Sequence, residues 1–97
     1  MTKTVILLNT TEGHRKYYII ELHRDSPNRI IVRGIWGRLG ATGRTQIKYE
    51  GNGDWVAERV FQQILNEKYD YGYKLHETNN RRADTSVDVV VAILEAL

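Results

Sequence analysis

Apolar and polar positions alternate with a period of two through the first half of the chain, then switch to a period of roughly 3.6. Val5 to Leu8 is a short apolar, β-forming run, and Asn9-Thr10-Thr11-Glu12-Gly13 reads as a turn. Tyr17 to His23 is rich in aromatic and β-branched residues. Tyr18, Ile20 and Leu22 share one strand face, and Tyr17, Ile19 and Glu21 share the other. Asp25-Ser26-Pro27-Asn28 is a turn signal containing the only proline, so the next run, from Ile30, pairs back as a hairpin. Gly34 inside that run predicts a bulge or a close backbone approach. The run closes at Trp36-Gly37-Arg38, and Gly40 to Gly43 connects it to a further strand. There Thr45, Ile47 and Tyr49 are expected on one face, with Gln46 and Lys48 on the other.

After the turn Glu50 to Gly53 the period changes. Ala57, Val60, Phe61, Ile64, Leu65 and Lys68 recur at steps of three and four, which predicts one main helix. Asp54 is the expected N-cap and Gly72 the expected C′ residue. Trp55 is expected in the core or at its rim, and Tyr69, Tyr71 and Tyr73 are expected to pack around the helix end. Residues 76–85 are polar and read as a linker or loop. Residues 86–97 are apolar. Val90, Ile93, Leu94 and Leu97 make a helical stripe, with Thr85 or Ser86 as cap, although Val87 to Val91 also suits a strand. The reading favours a helix. The fold class is therefore α+β: a small antiparallel sheet of three or four strands, one helix packed on one face, and an appended C-terminal segment. Residues 1–75 form the domain.

Ninety-seven residues suit a single modest core. The absence of cysteine excludes a disulfide scaffold, a thiolate zinc site and a cysteine nucleophile, and is consistent with an intracellular location. No apolar run has membrane-spanning length and the N-terminus is not a secretory signal, so an intracellular protein, cytoplasmic or nucleoid-associated, is expected. The histidines at 14, 23 and 76 lack metal-ligand spacing, and no set of residues suggests nucleophilic catalysis. Neither a cofactor nor enzymatic activity is expected.

Charge changes the picture more. Between Asp25 and Glu50 there is no acid, but there are five cations: Arg29, Arg33, Arg38, Arg44 and Lys48. The net charge of +2 conceals this asymmetry. Neighbouring strands are expected to gather these side chains into a surface for a polyanion. The glycines at 37, 40 and 43 do not form a nucleotide-phosphate loop, because a strand follows them instead of a helix.

Trp36-Gly37-Arg38, then Gly40-Ala41-Thr42-Gly43, a short strand, the helix through Ala57 to Phe61, and Lys68-Tyr69-Asp70-Tyr71-Gly72-Tyr73 together resemble the WGR domain. Lys16 to Leu22 is similar to that family's lysine-aromatic-tyrosine strand, so the resemblance covers residues 3–75. WGR domains occur in poly(ADP-ribose) polymerases, where they bind DNA breaks and relay that event, and in small bacterial proteins. The resemblance implies an antiparallel sheet with a helix against it, and a non-catalytic role in binding DNA ends, nicks or junctions. It implies nucleic-acid contacts by Trp36, Gly37 and Arg38, with Trp36 stacking at the terminus and Arg38 at a junction with partner domains. Arg33, Arg38, Arg44 and Lys48 are the expected phosphate contacts. Each has a plainer reading: Trp36 as a core residue, Arg38 as a sheet-pinning salt bridge, the other three as a solvated face. The alternative function is a protein-interaction or regulatory module, working through residues 86–97, possibly as a homodimer.

Overall fold

The computed structural model describes residues 2–81. Five strands form one antiparallel sheet: β1 (Thr2–Asn9), β2 (Lys16–Ser26), β3 (Arg29–Arg38), β4 (Arg44–Gly51) and β5 (Lys74–Arg81). Their order across the sheet is β4-β3-β2-β1-β5. Helix α1 (Asp54–Asp70) lies on one face, and a short 3-10 turn (Thr11–Gly13) joins β1 to β2. The α+β architecture expected from the sequence is thus present, with one strand more than expected.

That strand is β5. Residues 76–81, expected in a linker, pair with β1 from Lys74 opposite Leu8 to Arg81 opposite Thr2. The run Lys74-Leu75-His76-Glu77-Thr78-Asn79-Asn80-Arg81 lacks an apolar alternation because it is an edge strand. Polar and charged residues at such an edge discourage pairing with another chain. The expected linker therefore begins after Arg81 at the earliest. The remainder of that linker, and the helix expected over 86–97 with its proposed partner role, lie outside the described residues.

The main core lies between the sheet and α1. Val5 and Leu7 of β1, Tyr18, Ile20 and Leu22 of β2, and Ile30 and Val32 of β3 meet Ala57 and Phe61 of the helix. Val60, Ile64 and Leu65 pack around them, so the helical stripe read from the sequence is the face that is buried. The helix begins at Asp54 with Gly53 as N-cap. Asp54 is not the cap; its carboxylate instead accepts a hydrogen bond from Arg24 Nε at 3.0 Å and forms an ion pair with Nη2 at 2.8 Å. At the other end Gly72, with φ of 93°, is the C′ residue. Gly72 N–H donates to the Tyr69 carbonyl and Tyr73 N–H to the Lys68 carbonyl, the two bonds of a Schellman turn. This turn places Tyr73 and Lys68 side by side at the end of the sheet where β3 finishes.

Trp55 is not a core residue. It is 71% exposed on the first turn of α1, with the Arg59 guanidinium 5.5 Å from its ring centre. Tyr69 and Tyr71 are also exposed, and of the three tyrosines near the helix end only Tyr73 packs on the core.

Candidate nucleic-acid interface

The register of β2 with β3 sets the site. Past a bulge at Asp25, Tyr18 stands opposite Trp36 and Lys16 opposite Arg38, while β4 places Arg44 opposite Trp36. These five residues share the helix-side face of the sheet, just beyond the last turn of α1. The Trp36 and Tyr18 rings lie nearly parallel, 5.7 Å apart and 9° inclined. Tyr73 meets Tyr18 edge-on at 6.3 Å. Trp36 is half-buried, so it packs on the core and also presents surface.

Two glycines shape this face and its reverse. A Cβ at Gly34 would lie 2.9 Å from Tyr18 Cζ and closer still to its hydroxyl, so glycine lets the Tyr18 ring lie flat across β3. The close approach expected at Gly34 is therefore made by Tyr18. A Cβ at Gly43 would collide with the Tyr17 hydroxyl and the Trp36 carbonyl, so Gly43 makes room on the opposite side. Gly37 follows the same logic, its Cβ position being 2.9 Å from Gly43 Cα.

The next cation sits at a bulge in β4. Tyr49 pairs with Val32 but Ile47 pairs with Arg33, leaving Lys48 as an extra residue. The bulge corrects the alternation expected for this strand: Tyr49 joins the helix-side core while Ile47 is 52% exposed. Lys48 Nζ is brought 5.3 Å from the Trp36 ring centre, where it also donates to Gln46 Oε1 at 2.7 Å. Lys68, from the last turn of α1, lies 4.6 Å from the Tyr18 ring centre. Tyr18, Trp36, Tyr73, Lys48 and Lys68 together line a shallow pocket of about 290 Å³. Burial, then Glu67 and Tyr73, push the Tyr18 phenol up to about 12, and burial raises Tyr73 also. Both phenols are neutral in neutral solution and add no negative charge to the pocket. Beside it, Lys16 and Arg38 join His14 and Arg15 around a second cleft of about 400 Å³.

The cations sort by partner. Lys3, Arg24, Arg29, Arg33 and Lys68 each meet a carboxylate: Glu58, Asp54, Glu50, Glu21 and Glu67 respectively. Glu50, with Asp25 adding to it, holds the Arg29 guanidinium charged. Among the described residues no such pairing involves Arg15, Lys16, Arg38, Arg44 or Lys48. A salt bridge at Arg38, the plainer reading of that residue, is therefore not formed with any described residue.

Of the residues expected in the site, Trp36, Gly37, Arg38, Arg44 and Lys48 come together. Arg33 does not. It projects from the opposite face and donates through Nε, at 3.1 Å, and Nη2 to the Glu21 carboxylate, which is almost fully buried. The run of sequence without acids misleads here, because Glu21, Asp25 and Glu50 flank it and reach in across the sheet. Sequence reasoning also left out Lys16, Tyr18, Lys68 and Tyr73. For the first two the hairpin turn misleads by one position, since its count pairs Tyr18 with Gly37; the bulge at Asp25 sets the pairing with Arg38 and Trp36. The last two required knowing where the helix ends relative to the sheet.

No curated protein matches the chain. Among the described residues no helix is long and apolar enough to cross a membrane. The family model described as WGR domain matches residues 1–80, which takes in β1 to β4, α1 and all but the last residue of β5. On that match, and with the Trp-Gly-Arg tripeptide closing β3 at the centre of the site, the chain belongs to the WGR domain family, whose members are generally nucleic-acid-binding modules and not catalytic by themselves.

Proposed function

We propose that this chain binds DNA at ends, nicks or junctions, with little sequence preference, through the face that carries Trp36. The observation behind this reading is the set of cations around the tryptophan, Lys16, Arg38, Arg44 and Lys48, that meet no carboxylate among the described residues while others in the sheet do. Phosphates are the natural counter-charge for such a set, and their contacts position a nucleic acid without reading its sequence. Trp36 lies nearly parallel to Tyr18, with the Lys48 ammonium 5.3 Å from its ring centre. A terminal base or sugar stacks there by moving the flexible ammonium aside to a neighbouring phosphate. Aromatic stacking of this type contributes about 1–3 kcal/mol per base and is indifferent to base identity. Helix α1 is not a groove reader: it lies on the sheet, and its outer side carries Glu58, Arg59, Gln62, Gln63 and Glu67.

The test is a titration of linear, nicked and closed circular duplex with the unmodified chain and with Trp36→Ala. Binding of the linear and nicked forms in preference to the closed circle, weakened roughly ten-fold or more by the substitution as stacking of this strength requires, is the expected result. Equal binding to all three removes the end-recognition claim. No binding at low salt removes the DNA reading altogether.

A further inference from the structure

The face of the sheet opposite α1 is as dry as a core, yet no described element lies over its centre. Ile6, Tyr17, Ile19 and Ile35 are all 4% exposed or less, and Thr4 and Glu21 beside them are 1% and 2% exposed. A side chain in the middle of an open sheet face stands clear of its in-plane neighbours and remains wet at its tip. Leu39, hydrogen-bonded through its N–H to the Arg15 carbonyl at 2.9 Å, brings the β3–β4 connection against one end of this cluster. That contact does not reach the row formed by Thr4 and Glu21. Helix α1 is committed to the other face. The described residues are one layer short.

We propose that residues 86–97 form a second helix lying across this face, so that the domain is a sheet held between two helices. Three observations fit this occupant. Strand β5 ends at Arg81, paired with Thr2, so the chain leaves the sheet beside β1 at the end away from Leu8. Four residues, 82–85, are a usual length for a connection that reverses direction. From Thr2 to Leu8, at strand spacing, the face is about 20 Å long. Twelve residues of helix span about 18 Å. Finally, Val90, Ile93, Leu94 and Leu97 make one apolar stripe, while Asp88 and Glu95, the only acids of the segment, fall on the side away from it. An amphipathic helix of that pattern matches an apolar sheet face bounded by polar strand ends.

The chain has no cysteine, which allows a clean test on the full-length protein. A nitroxide attached at Glu95→Cys, on the outward side of the helix, is to be compared in its oxidised and reduced forms by amide NMR. The expected result is loss of signal for Ile6, Ile19 and Ile35 with the oxidised label, and none for Gln62 and Gln63 on the outer side of α1. In a mixture of spin-labelled chain without isotope and isotope-labelled chain without spin label, these signals persist. Adding Leu94→Glu to the labelled chain abolishes the loss while the remaining amide pattern is retained. Absence of any signal loss in the labelled chain overturns the proposal. So does equal loss in the mixed sample, which makes a second copy the occupant, and so does persistence of the loss with Leu94→Glu.

Discussion

Arg33 and Arg44 differ by eleven positions and carry the same charge, yet their replacement by Gln is expected to have opposite consequences. The arrangement places four cations without a described carboxylate partner around Trp36: Lys16, Arg38, Arg44 and Lys48. If each meets one phosphate, log K for duplex DNA falls against log salt with a slope of about −3.6, a loss of roughly 150-fold between 50 and 200 mM salt. Arg44→Gln removes one contact and makes the slope shallower by about 0.9, so the loss over the same range shrinks about 3.5-fold. Arg33→Gln leaves the slope unchanged, because its guanidinium is on the other face and bound to Glu21. Its effect falls on stability, since it strips the partner from a carboxylate whose side chain is 3% exposed. Breaking a fully buried pair costs about 3–5 kcal/mol; with the arginine partly exposed, about 2–3 kcal/mol is expected here. The assays are fluorescence anisotropy over a salt series and urea unfolding. A slope change for Arg33→Gln equal to that for Arg44→Gln refutes the division of cations between the two faces.

Gly43→Ala is expected to destabilise by about 1–3 kcal/mol, through the clash with Tyr17 and the Trp36 carbonyl, read as a lower urea midpoint with unchanged slope. Phe61→Ala empties the centre of the helix–sheet core and is expected to cost about 3–5 kcal/mol in the same assay. In a tyrosinate absorbance titration Tyr18 should ionise well above an ordinary phenol, and Tyr18→Phe should remove that late step. Because its folded-state value is raised from 10.0 to about 12, the stability linked to Tyr18 is fully present below pH 10 and is lost as pH climbs from there towards 12. Thermal denaturation across that range, compared between the two proteins, checks the sign.

How much of this was legible beforehand follows from what each residue contacts. Strands with an apolar face and the helix with its stripe announce themselves, since burial on one side imposes a period. β5 does not, because its backbone pairs with β1 while its side chains remain those of a polar edge. The Trp-Gly-Arg tripeptide marks the candidate site in the sequence, but charge counted along the chain did not partition its cations. Arg33 and Arg38 look alike in sequence and are separated only by the alternation of β3, which turns one towards Glu21 and the other towards Lys16. Lys48 is a different case. It keeps step with Arg44 and Gln46, so strict alternation leaves it on the Trp36 face, and the bulge in β4 instead turns Tyr49 in to the helix-side core.

The order of the strands has a consequence for how the molecule is made. β2, β3 and β4 join to their neighbours through short turns, so their pairing closes small loops and proceeds quickly. β1 is different: it lies between β2 and β5, and its second partner comes from the far end of the matched region. As the chain emerges during synthesis, β1 precedes the other four described strands and keeps one edge unpaired until they have been made. The hairpins and α1 can therefore assemble the Trp36 face early, while β5 closes the sheet last. Amides of β1 that bond to β5 should accordingly gain protection later in refolding than those of β2 and β3, a delay that pulsed hydrogen exchange measures directly.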